Sequence, residues 1–313
     1  MTLRPIPKGD ELEWKEVMLE RYARITDVAR FKEYSLSFLR KSVRINTLKK
    51  PLAAVKASLE NDWRLTPIPW CEHGFWVEHK QGRLDIGNTM EHALGYIYVQ
   101  EAASMLPPLA LAPEPGETVL DMCAAPGSKS TQLAQQMENT GVLVCNDVTA
   151  DRLAALGTNL QRCGVSNCVV TQMHGMKDLQ FDRILIDAPC SGTGTIRKSL
   201  RTLRTWSLGA THKLCKSQRE LMARAWSMLK PGGTFVYSTC SLEPEEDEGM
   251  VSSFLQHHKD ADLAPIELDI KKAASVMEWD GETFDERVKH TLRVWPQDND
   301  TEGFFVAKIV KPA

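Results

Sequence analysis

Apolar and polar positions follow two different patterns along this chain of 313 residues. Near the N-terminus, Leu12, Val17, Leu19 and Tyr22 recur roughly on one face of a helix, which predicts a helix in this segment. From residue 116 onward, short apolar runs alternate with amphipathic segments. Regular strand–helix alternation of this kind predicts a doubly wound parallel sheet.

The second region contains short apolar runs that we interpret as strands. They are TVLDMC (118–123), GVLVCNDV (141–148), CVVTQMH (168–174), RILIDAP (183–189) and TFVYSTC (234–240). The predicted helices are SKSTQLAQQM (128–137), ADRLAALGTNLQRCG (150–164) and QRELMARAWSMLK (218–230). Gly164 suits the left-handed position that ends a helix. The runs 291–295 and 303–310 are expected to add an antiparallel hairpin.

The first part of the chain has mixed character. A strand and a helix are predicted around Pro51, and the aromatic and proline-rich run 63–77 predicts short strands and turns. We therefore divide the chain into a small α+β domain at 1–90 and an α/β domain at 91–313. The fold class expected for the second domain is a Rossmann-like, doubly wound sheet.

The composition of the chain argues against several classes of protein. No run approaches about 18 consecutive apolar residues, so no membrane span is expected. The N-terminus lacks the apolar segment of a signal peptide, so we expect a cytoplasmic protein. The eight cysteines show neither a C-x-x-C pair nor zinc-like spacing. We expect no metal, no disulfides and a monomer.

The segment DMCAAPGSKS, at the end of the first strand of the sheet, is a candidate ligand loop. Ala124, Ala125 and Gly127 are small, so the backbone can approach a ligand closely. The N-terminus of the following helix offers free N–H groups that suit a carboxylate, and Lys129 adds a positive charge. Ligands of such sheets bind at the carboxyl ends of the strands.

The identity of the ligand follows from what surrounds this loop. The chain contains neither G-x-G-x-x-G nor the P-loop pattern in this segment. Asp147 follows Gly127 by 20 residues and could accept hydrogen bonds from ribose hydroxyls, although a simple turn residue would also suit this position. A carboxylate-binding loop with a ribose-binding acid fits S-adenosylmethionine better than a nicotinamide dinucleotide.

Cys190 and Cys240 each follow a predicted strand end on the same edge of the sheet, and Asp187 precedes Cys190 by three residues. A single cysteine here would more often be a small buried apolar side chain. Two in equivalent positions favour methylation of pyrimidine carbon 5, in which a thiolate adds to carbon 6 and makes carbon 5 nucleophilic. A protonated Asp187 would stabilise the adduct at the ring nitrogen.

Three motifs, DMCAAPGSK, DAPCSGTG and YSTCSLEPEE, resemble those of the Sun-type RNA (cytosine-5) methyltransferases. The resemblance extends from about residue 38 to 310 through RINTLK, YVQEAASMLPPLAL and WPQDNDTEGFFVAKI. Parts of the N-terminal region resemble the bacterial 16S ribosomal RNA branch, while the length resembles the archaeal transfer RNA members. The resemblance implies a Rossmann-like class I methyltransferase, S-adenosylmethionine as cofactor, and tRNA or rRNA as substrate.

The resemblance also implies roles for individual residues. Cys240 would be the nucleophile, Cys190 would promote product release, and Asp187 would contact both cofactor and base. The cofactor would be held by Cys123, Ala124, Ala125, Pro126, Gly127, Ser128, Lys129, Asp147, Arg152 and, in place of the usual Asp, His174. The presence of both Thr239-Cys240 and the Pro-Cys cysteine implies RNA rather than DNA.

The charge distribution suggests an RNA surface. Residues 188–219 contain no Asp or Glu, while Arg197, Lys198, Arg201 and Arg204 are basic and could hold RNA phosphates. Arg44 could extend this surface from the N-terminal domain, which we expect to bind RNA. The acidic run 243–248 is interpreted instead as the first turn of a helix beginning near Pro244.

Three other functions fit parts of the pattern. An amino-group methyltransferase has a similar run after the same strand but needs no thiol, so a Cys240→Ala variant would stay active. An RNA-binding subunit without activity would bind RNA and transfer no methyl group. A nicotinamide-dependent dehydrogenase is weakly supported because its phosphate-binding fingerprint is missing.

Overall fold

The structure is a computed structural model that describes residues 3–9, 11–173 and 179–313. The α-helices are α1 (Glu16–Ala23), α2 (Val28–Ser35), α3 (Leu52–Leu59), α4 (Met90–Ala93), α5 (Leu106–Leu111), α6 (Ser128–Gln136), α7 (Ala150–Cys163), α8 (Arg201–Thr205), α9 (Leu208–Met228), α10 (Glu248–His257) and α11 (Pro296–Asn299). The strands are β1 (Ser42–Ile45), β2 (Trp63–Ile68), β3 (Cys71–His79), β4 (Ile97–Val99), β5 (Thr118–Asp121), β6 (Val142–Asn146), β7 (Cys168–Thr171), β8 (Phe181–Asp187), β9 (Leu229–Thr239), β10 (Asp262–Ala264), β11 (Glu278–Trp279), β12 (Glu282–Thr283), β13 (Leu292–Val294) and β14 (Phe304–Val310).

The largest sheet has the strand order β10-β14-β9-β8-β5-β6-β7, with β13 paired to β14. Strand β5 runs parallel to β6 and β8, and β6 runs parallel to β7. The inner strands are apolar runs because both faces are covered: Val119 and Leu120 of β5 and Ile184 to Ile186 of β8 are fully buried. The predicted doubly wound parallel sheet is confirmed.

The predicted elements around this sheet are also present. Strands β13 and β14 pair antiparallel, as the hairpin prediction required. Helix α7 ends at Gly164, whose φ of 73° is left-handed. Strand β9 begins at Leu229 rather than at the predicted Thr234, so it also includes Pro231, Gly232 and Gly233.

A second sheet with the order β2-β3-β1-β4 is antiparallel and lies in the N-terminal third of the chain. Its core contains the apolar residues Val43, Ile45, Val55, Leu59, Trp63, Phe75, Val77, Ile86 and Ile97. The α+β character predicted for this region is therefore present.

The chain forms two compact units, and each contains segments that are distant in sequence. The first unit comprises 1–40, 188–221 and 238–307. The second unit comprises 41–187, 222–237 and 308–313, and it contains the antiparallel sheet and the parallel strands β5 to β8. The core of the first unit is built from Met18, Tyr22, Phe31, Ile196, Leu203, Trp206, Leu242 and Trp295.

Candidate active site

Three aspartates lie at the carboxyl ends of neighbouring parallel strands in the second unit. Asp121 ends β5 and pairs in register with Cys145 and Leu185, so Asp147 and Asp187 each lie two residues further along β6 and β8. The carboxyl ends of parallel strands meet at one edge of a sheet, which is where ligands of this fold bind. The structure therefore places Asp147 and Asp187 at the predicted edge of the sheet, and it places Asp121, which the sequence pattern does not identify, at the same edge.

The loop that follows β5 is held by backbone and side-chain hydrogen bonds. Ala124 N donates to Asn146 O at 2.8 Å, and Ala125 N donates to Asp147 Oδ2 at 3.3 Å. Arg152 donates to Ala125 O at 2.6 Å and pairs with Asp147 at 3.2 Å. Arg152 thus lies beside Asp147, as expected, and both residues fix the position of the loop.

Gly127 makes the turn from this loop into α6. Its φ of +107° is left-handed, and an added Cβ would lie 3.0 Å from Leu156 Cδ1. Gly127, the N-cap residue of α6, has no side chain that could cap the helix. The turn therefore leaves an uncapped helix N-terminus next to the small side chains of Ala124 and Ala125, a suitable place for an anionic group.

Lys129 contacts a protein carboxylate in this structure. Its Nζ lies 2.6 Å from Asp187 Oδ2, and the lysine is only 8% exposed. Lys129 and Asp187 thus form an ion pair at the end of β8. The cofactor contact expected of Lys129 stays a prediction.

Burial perturbs two titratable groups of the loop. Burial raises the pKa of Asp121 to about 7, although Ser130 Oγ donates to its Oδ2 at 2.7 Å. Burial also raises the pKa of Cys123, and the nearby carboxylates raise it further. Cys123 is thus held as a neutral thiol, which suits a cofactor wall better than a nucleophile. The predicted contact of His174 lies outside the described residues.

The two candidate catalytic cysteines face each other in the first unit. Cys190 Sγ lies 3.3 Å from Cys240 Sγ. The backbone fixes this pairing, because Ala188 N donates to Ser238 O and Gly194 N donates to Cys240 O, both at 2.9 Å. Both residues are half-buried. The juxtaposition predicted from the two strand ends is present.

The pKa of the Cys190 thiol is raised well above its ordinary value. The hydrogen bond with Cys240 is the largest cause, burial is the second, and the charge of Glu246 adds to both. Cys190 is therefore held as a protonated thiol beside Cys240.

The acidic run 243–248 is mostly buried and precedes α10, which corrects our prediction that it forms the first turn of a helix beginning near Pro244. Glu243, Glu246, Asp247 and Glu248 are each 0% exposed, and α10 begins only at Glu248. Their partners are distant in sequence: Arg21, Tyr22 and Trp206 bind Glu243, Ser191 and Gln218 bind Glu246, and Arg293 binds Asp247 and Glu248.

One weak signal for this network is present in the sequence. Arg293 stands between apolar neighbours in a predicted strand, where a buried arginine needs an acidic partner. Asp247 also accepts from Thr239 Oγ1 at 2.6 Å. The network therefore reaches the residue that immediately precedes Cys240.

Two of the predicted RNA-binding arginines are structural. Arg44 is 1% exposed and donates to Gln100, Gln135 and Thr131. Arg197 is 5% exposed and binds carbonyl groups of the first unit and Asp300. Both guanidinium groups are buried and already paired within the protein. The prediction that Arg44 and Arg197 contact RNA phosphates is therefore wrong. Lys198, Arg201 and Arg204 are exposed.

Among residues 3–9, 11–173 and 179–313, no group of three or more His, Cys, Asp or Glu side chains could hold a metal ion. None of the helices described within these ranges has the length and apolar character needed to cross a membrane.

The parallel strands β8-β5-β6, the small-residue loop after β5 and the acids at the strand ends define a Rossmann-like methyltransferase. A crystal structure described as a methyltransferase homolog protein from Pyrococcus horikoshii is 36% identical, with a TM-score of 0.85 over 98% of each chain. The chain belongs to the family described as 16S rRNA methyltransferase RsmB/F, whose model matches residues 108–310. A model for the N-terminal domain of 16S rRNA methyltransferase RsmF matches residues 16–102.

Two relatives are named for different RNA substrates. A tRNA (cytosine(49)-C(5))-methyltransferase of Pyrococcus abyssi is 45% identical over 96% of this chain and 98% of its own length. Ribosomal RNA small subunit methyltransferase F of Vibrio cholerae is 42% identical over 88% of this chain. The match spans 58% of that second relative's length.

Proposed function

We propose that this chain methylates carbon 5 of a cytosine in RNA, with S-adenosylmethionine as methyl donor and Cys240 as nucleophile. The observation that carries the proposal is the pair of facing thiols, 3.3 Å apart, at the exits of two strands. A catalytic pair of this kind has no use in amino-group methylation, which needs no thiol. Membership of the RsmB/F family supports the same chemistry.

The proposed reaction requires one thiolate and one assisting thiol. The Cys240 thiolate forms a bond to carbon 6 of the cytosine, and carbon 5 becomes nucleophilic and accepts a methyl group. A base then removes the proton from carbon 5, and the bond between sulfur and carbon 6 breaks. Cys190, held as a neutral thiol, assists this release step.

The second unit offers residues that fit the cofactor. S-adenosylmethionine supplies an electrophilic methyl group when bound. The uncapped N-terminus of α6 after Gly127 suits its carboxylate, and the walls formed by Ala124 and Ala125 allow close approach. Asp147 accepts hydrogen bonds from Ala125 N and Thr149 N, and a carboxylate retains lone pairs for ribose hydroxyls.

Transfer RNA is the substrate we propose, with a cytosine equivalent to position 49 as the target. The Pyrococcus abyssi relative carries that name and matches over nearly the whole of both chains. Residues 1–90 remain the predicted RNA-binding domain, and residues 91–313 the predicted catalytic domain. Ribosomal RNA is the second candidate, because the matching family model is described by 16S rRNA.

The proposal is tested with S-adenosylmethionine carrying a labelled methyl group, purified tRNA and small ribosomal subunits in parallel reactions. The wild-type protein should produce labelled 5-methylcytosine in tRNA. Cys240→Ala should abolish the product, because no sulfur remains to activate carbon 5. Nucleoside analysis by mass spectrometry identifies the modified base, and sequencing of the RNA locates it.

Cys168→Ala is the matched control, since Cys168 is a partly buried cysteine on strand β7. It should methylate at the wild-type rate. A Cys240→Ala variant that stays active would contradict the proposed chemistry and favour amino-group methylation. Binding of RNA without any methyl transfer by the wild type would favour an inactive RNA-binding subunit.

A further inference from the structure

Glu246 joins the two loops that carry the cysteines. It is 0% exposed, and its Oε1 accepts from Ser191 N at 3.0 Å. Its Oε2 accepts from Ser241 Oγ at 2.5 Å and also from Ser191 Oγ. Ser191 immediately follows Cys190, and Ser241 immediately follows Cys240. One carboxylate therefore holds the residue after each thiol.

Gln218 of α9 extends this arrangement to the other side of Cys190. Its Nε2 donates to Glu246 Oε1 and to Pro189 O, each at 3.0 Å. The backbone is thus fixed on both sides of Cys190, at Pro189 by Gln218 and at Ser191 by Glu246. A change at Glu246 should release both restraints, because Gln218 binds the same carboxylate.

The charge of Glu246 needs an explanation beyond packing. Burial raises its pKa, and the hydrogen bonds from Ser191, Ser241 and Gln218 oppose that effect. A glutamine would fill the same volume without a charge to desolvate. A carboxylate accepts every one of these donors at once, whereas an amide has only one accepting atom. The carboxylate therefore suits a position where several donors from different loops must converge.

We propose that Glu246 is a positioning residue for Cys190. By binding both Ser191 and Ser241, Glu246 keeps the Cys190 thiol opposite Cys240 for product release. This inference rests on the proposed function, because release is a step of that reaction. Glu246 acts through the loop that it binds and not through contact with the substrate. Its loss should therefore slow release and leave the attack by Cys240 largely intact.

The test compares Glu246→Gln with Glu245→Gln, a neighbouring acid that pairs with Arg21 instead. Glu246→Gln should slow multiple-turnover methylation about tenfold or more, since small displacements of catalytic groups have effects of this size. Methyl transfer in a single turnover should stay within about threefold of wild type. A methylated protein–RNA adduct that survives SDS should accumulate. Glu245→Gln should match the wild type in all three measurements.

Two additional measurements separate positioning from a general loss of structure. In a Cys190→Ala background, Glu246→Gln should not slow release further, because both changes act on the same group. Without RNA, removal of the charge should raise the rate at which iodoacetamide alkylates Cys190 at fixed pH, by about threefold or more. Where Glu246→Gln lowers the melting temperature, Ser191→Ala provides a milder variant that should slow the same step.

If the Glu246→Gln variant releases product at the wild-type rate, and its Cys190 is alkylated at the wild-type rate, the inference is wrong. Loss of single-turnover methyl transfer at an unchanged melting temperature would overturn it as well, because attack rather than release would then depend on Glu246. The proposed function is judged separately. If the wild-type protein forms no 5-methylcytosine, that function fails, while the alkylation rates still decide whether Glu246 controls Cys190.

Discussion

Asp121 is a buried acid at the end of the central strand β5. It is 1% exposed, and its Oδ1 has no hydrogen-bond partner among the residues that the structure describes. Burial raises its pKa from the ordinary 3.8 to about 7. Folding therefore favours the protonated carboxyl group, so its contribution to stability is complete below about pH 4 and declines as the pH rises to about 7.

Asp121→Asn should remove this pH dependence. The free energy of unfolding of the variant, relative to wild type, should rise by about 2–3 kcal/mol between pH 5 and pH 8, because each pKa unit corresponds to about 1.4 kcal/mol. Urea unfolding at several pH values measures the difference. An amide substitution also changes the bond from Ser130, but that effect is constant with pH.

Asp182→Asn is the control for this measurement. Lys230 and Thr118 donate to the Asp182 carboxylate, and its pKa is lowered. An acid of lowered pKa is ionised in both states above pH 5, so the control should show no slope between pH 5 and pH 8. If the free energy of unfolding of Asp121→Asn, relative to wild type, is also independent of pH, the raised pKa assigned to Asp121 is wrong.

At the residue scale, the sequence predicted the side chains whose position follows from strand ends. Cys190, Cys240, Asp147 and Asp187 lie where apolar runs stop, and local pattern is sufficient to find such positions. It could not identify Glu246. A run of acids usually indicates an exposed surface, and its burial depends on partners that are far away in the chain.

At the scale of elements, the turn between β5 and α6 depends on one glycine. Gly127→Ala would place a Cβ 3.0 Å from Leu156 Cδ1 at a φ of +107°. The resulting strain should move the start of α6 and weaken binding of S-adenosylhomocysteine by about tenfold or more, since left-handed backbone at a non-glycine residue is unfavourable by about 1–2 kcal/mol. Isothermal titration calorimetry measures the affinity.

Gly157→Ala is the matched control, because Gly157 lies within α7 and a Cβ there meets nothing within 4 Å. It should leave the affinity unchanged and raise stability by up to about 1 kcal/mol, since alanine favours helix more than glycine does. Equal affinity in the Gly127→Ala variant would show that the turn is not part of the cofactor site.

The sheet was predictable because strands buried on both faces are continuous apolar runs. The same reasoning failed at the start of β9, where strand pairing extends through Pro231-Gly232-Gly233. Local turn preference is a weak guide when neighbouring strands supply hydrogen bonds to the backbone. The sequence thus predicted the presence and type of this strand but not its first residue.

For the whole molecule, RNA binding should depend on the exposed basic residues Lys198, Arg201 and Arg204. Arg201→Ala combined with Arg204→Ala should weaken tRNA binding and reduce the salt dependence of the binding constant by about two counterions, one per lost phosphate contact. Both positions lie on α8, which alanine suits. Fluorescence anisotropy at several salt concentrations measures the slope.

A variant that combines Lys259→Ala with Lys289→Ala removes two exposed charges elsewhere in the first unit. Its salt dependence should equal that of the wild type. If the α8 variant also retains the wild-type slope, the phosphates are held by other residues and the proposed RNA surface is wrong.

Sequence patterns could not predict which segments of the chain form the first unit. Its core combines α1 and α2 with Trp206 and Trp295, which are more than 150 residues further along the chain. Periodicity indicates which face of a helix is buried but not which distant segment covers it. The aromatic cluster of Tyr22, Phe31 and Trp295, with edge-to-face contacts, is therefore visible only in the structure.

The most direct test of the account is the identity of the cysteine that becomes bonded to cytosine. The Cys190→Ala protein, incubated with tRNA and S-adenosylmethionine, should retain a nucleotide adduct after digestion with nuclease and protease. Tandem mass spectrometry should locate a methylated cytidine on the peptide that contains Cys240. An adduct on any other cysteine, or none on Cys240 while 5-methylcytosine still forms, would contradict the account.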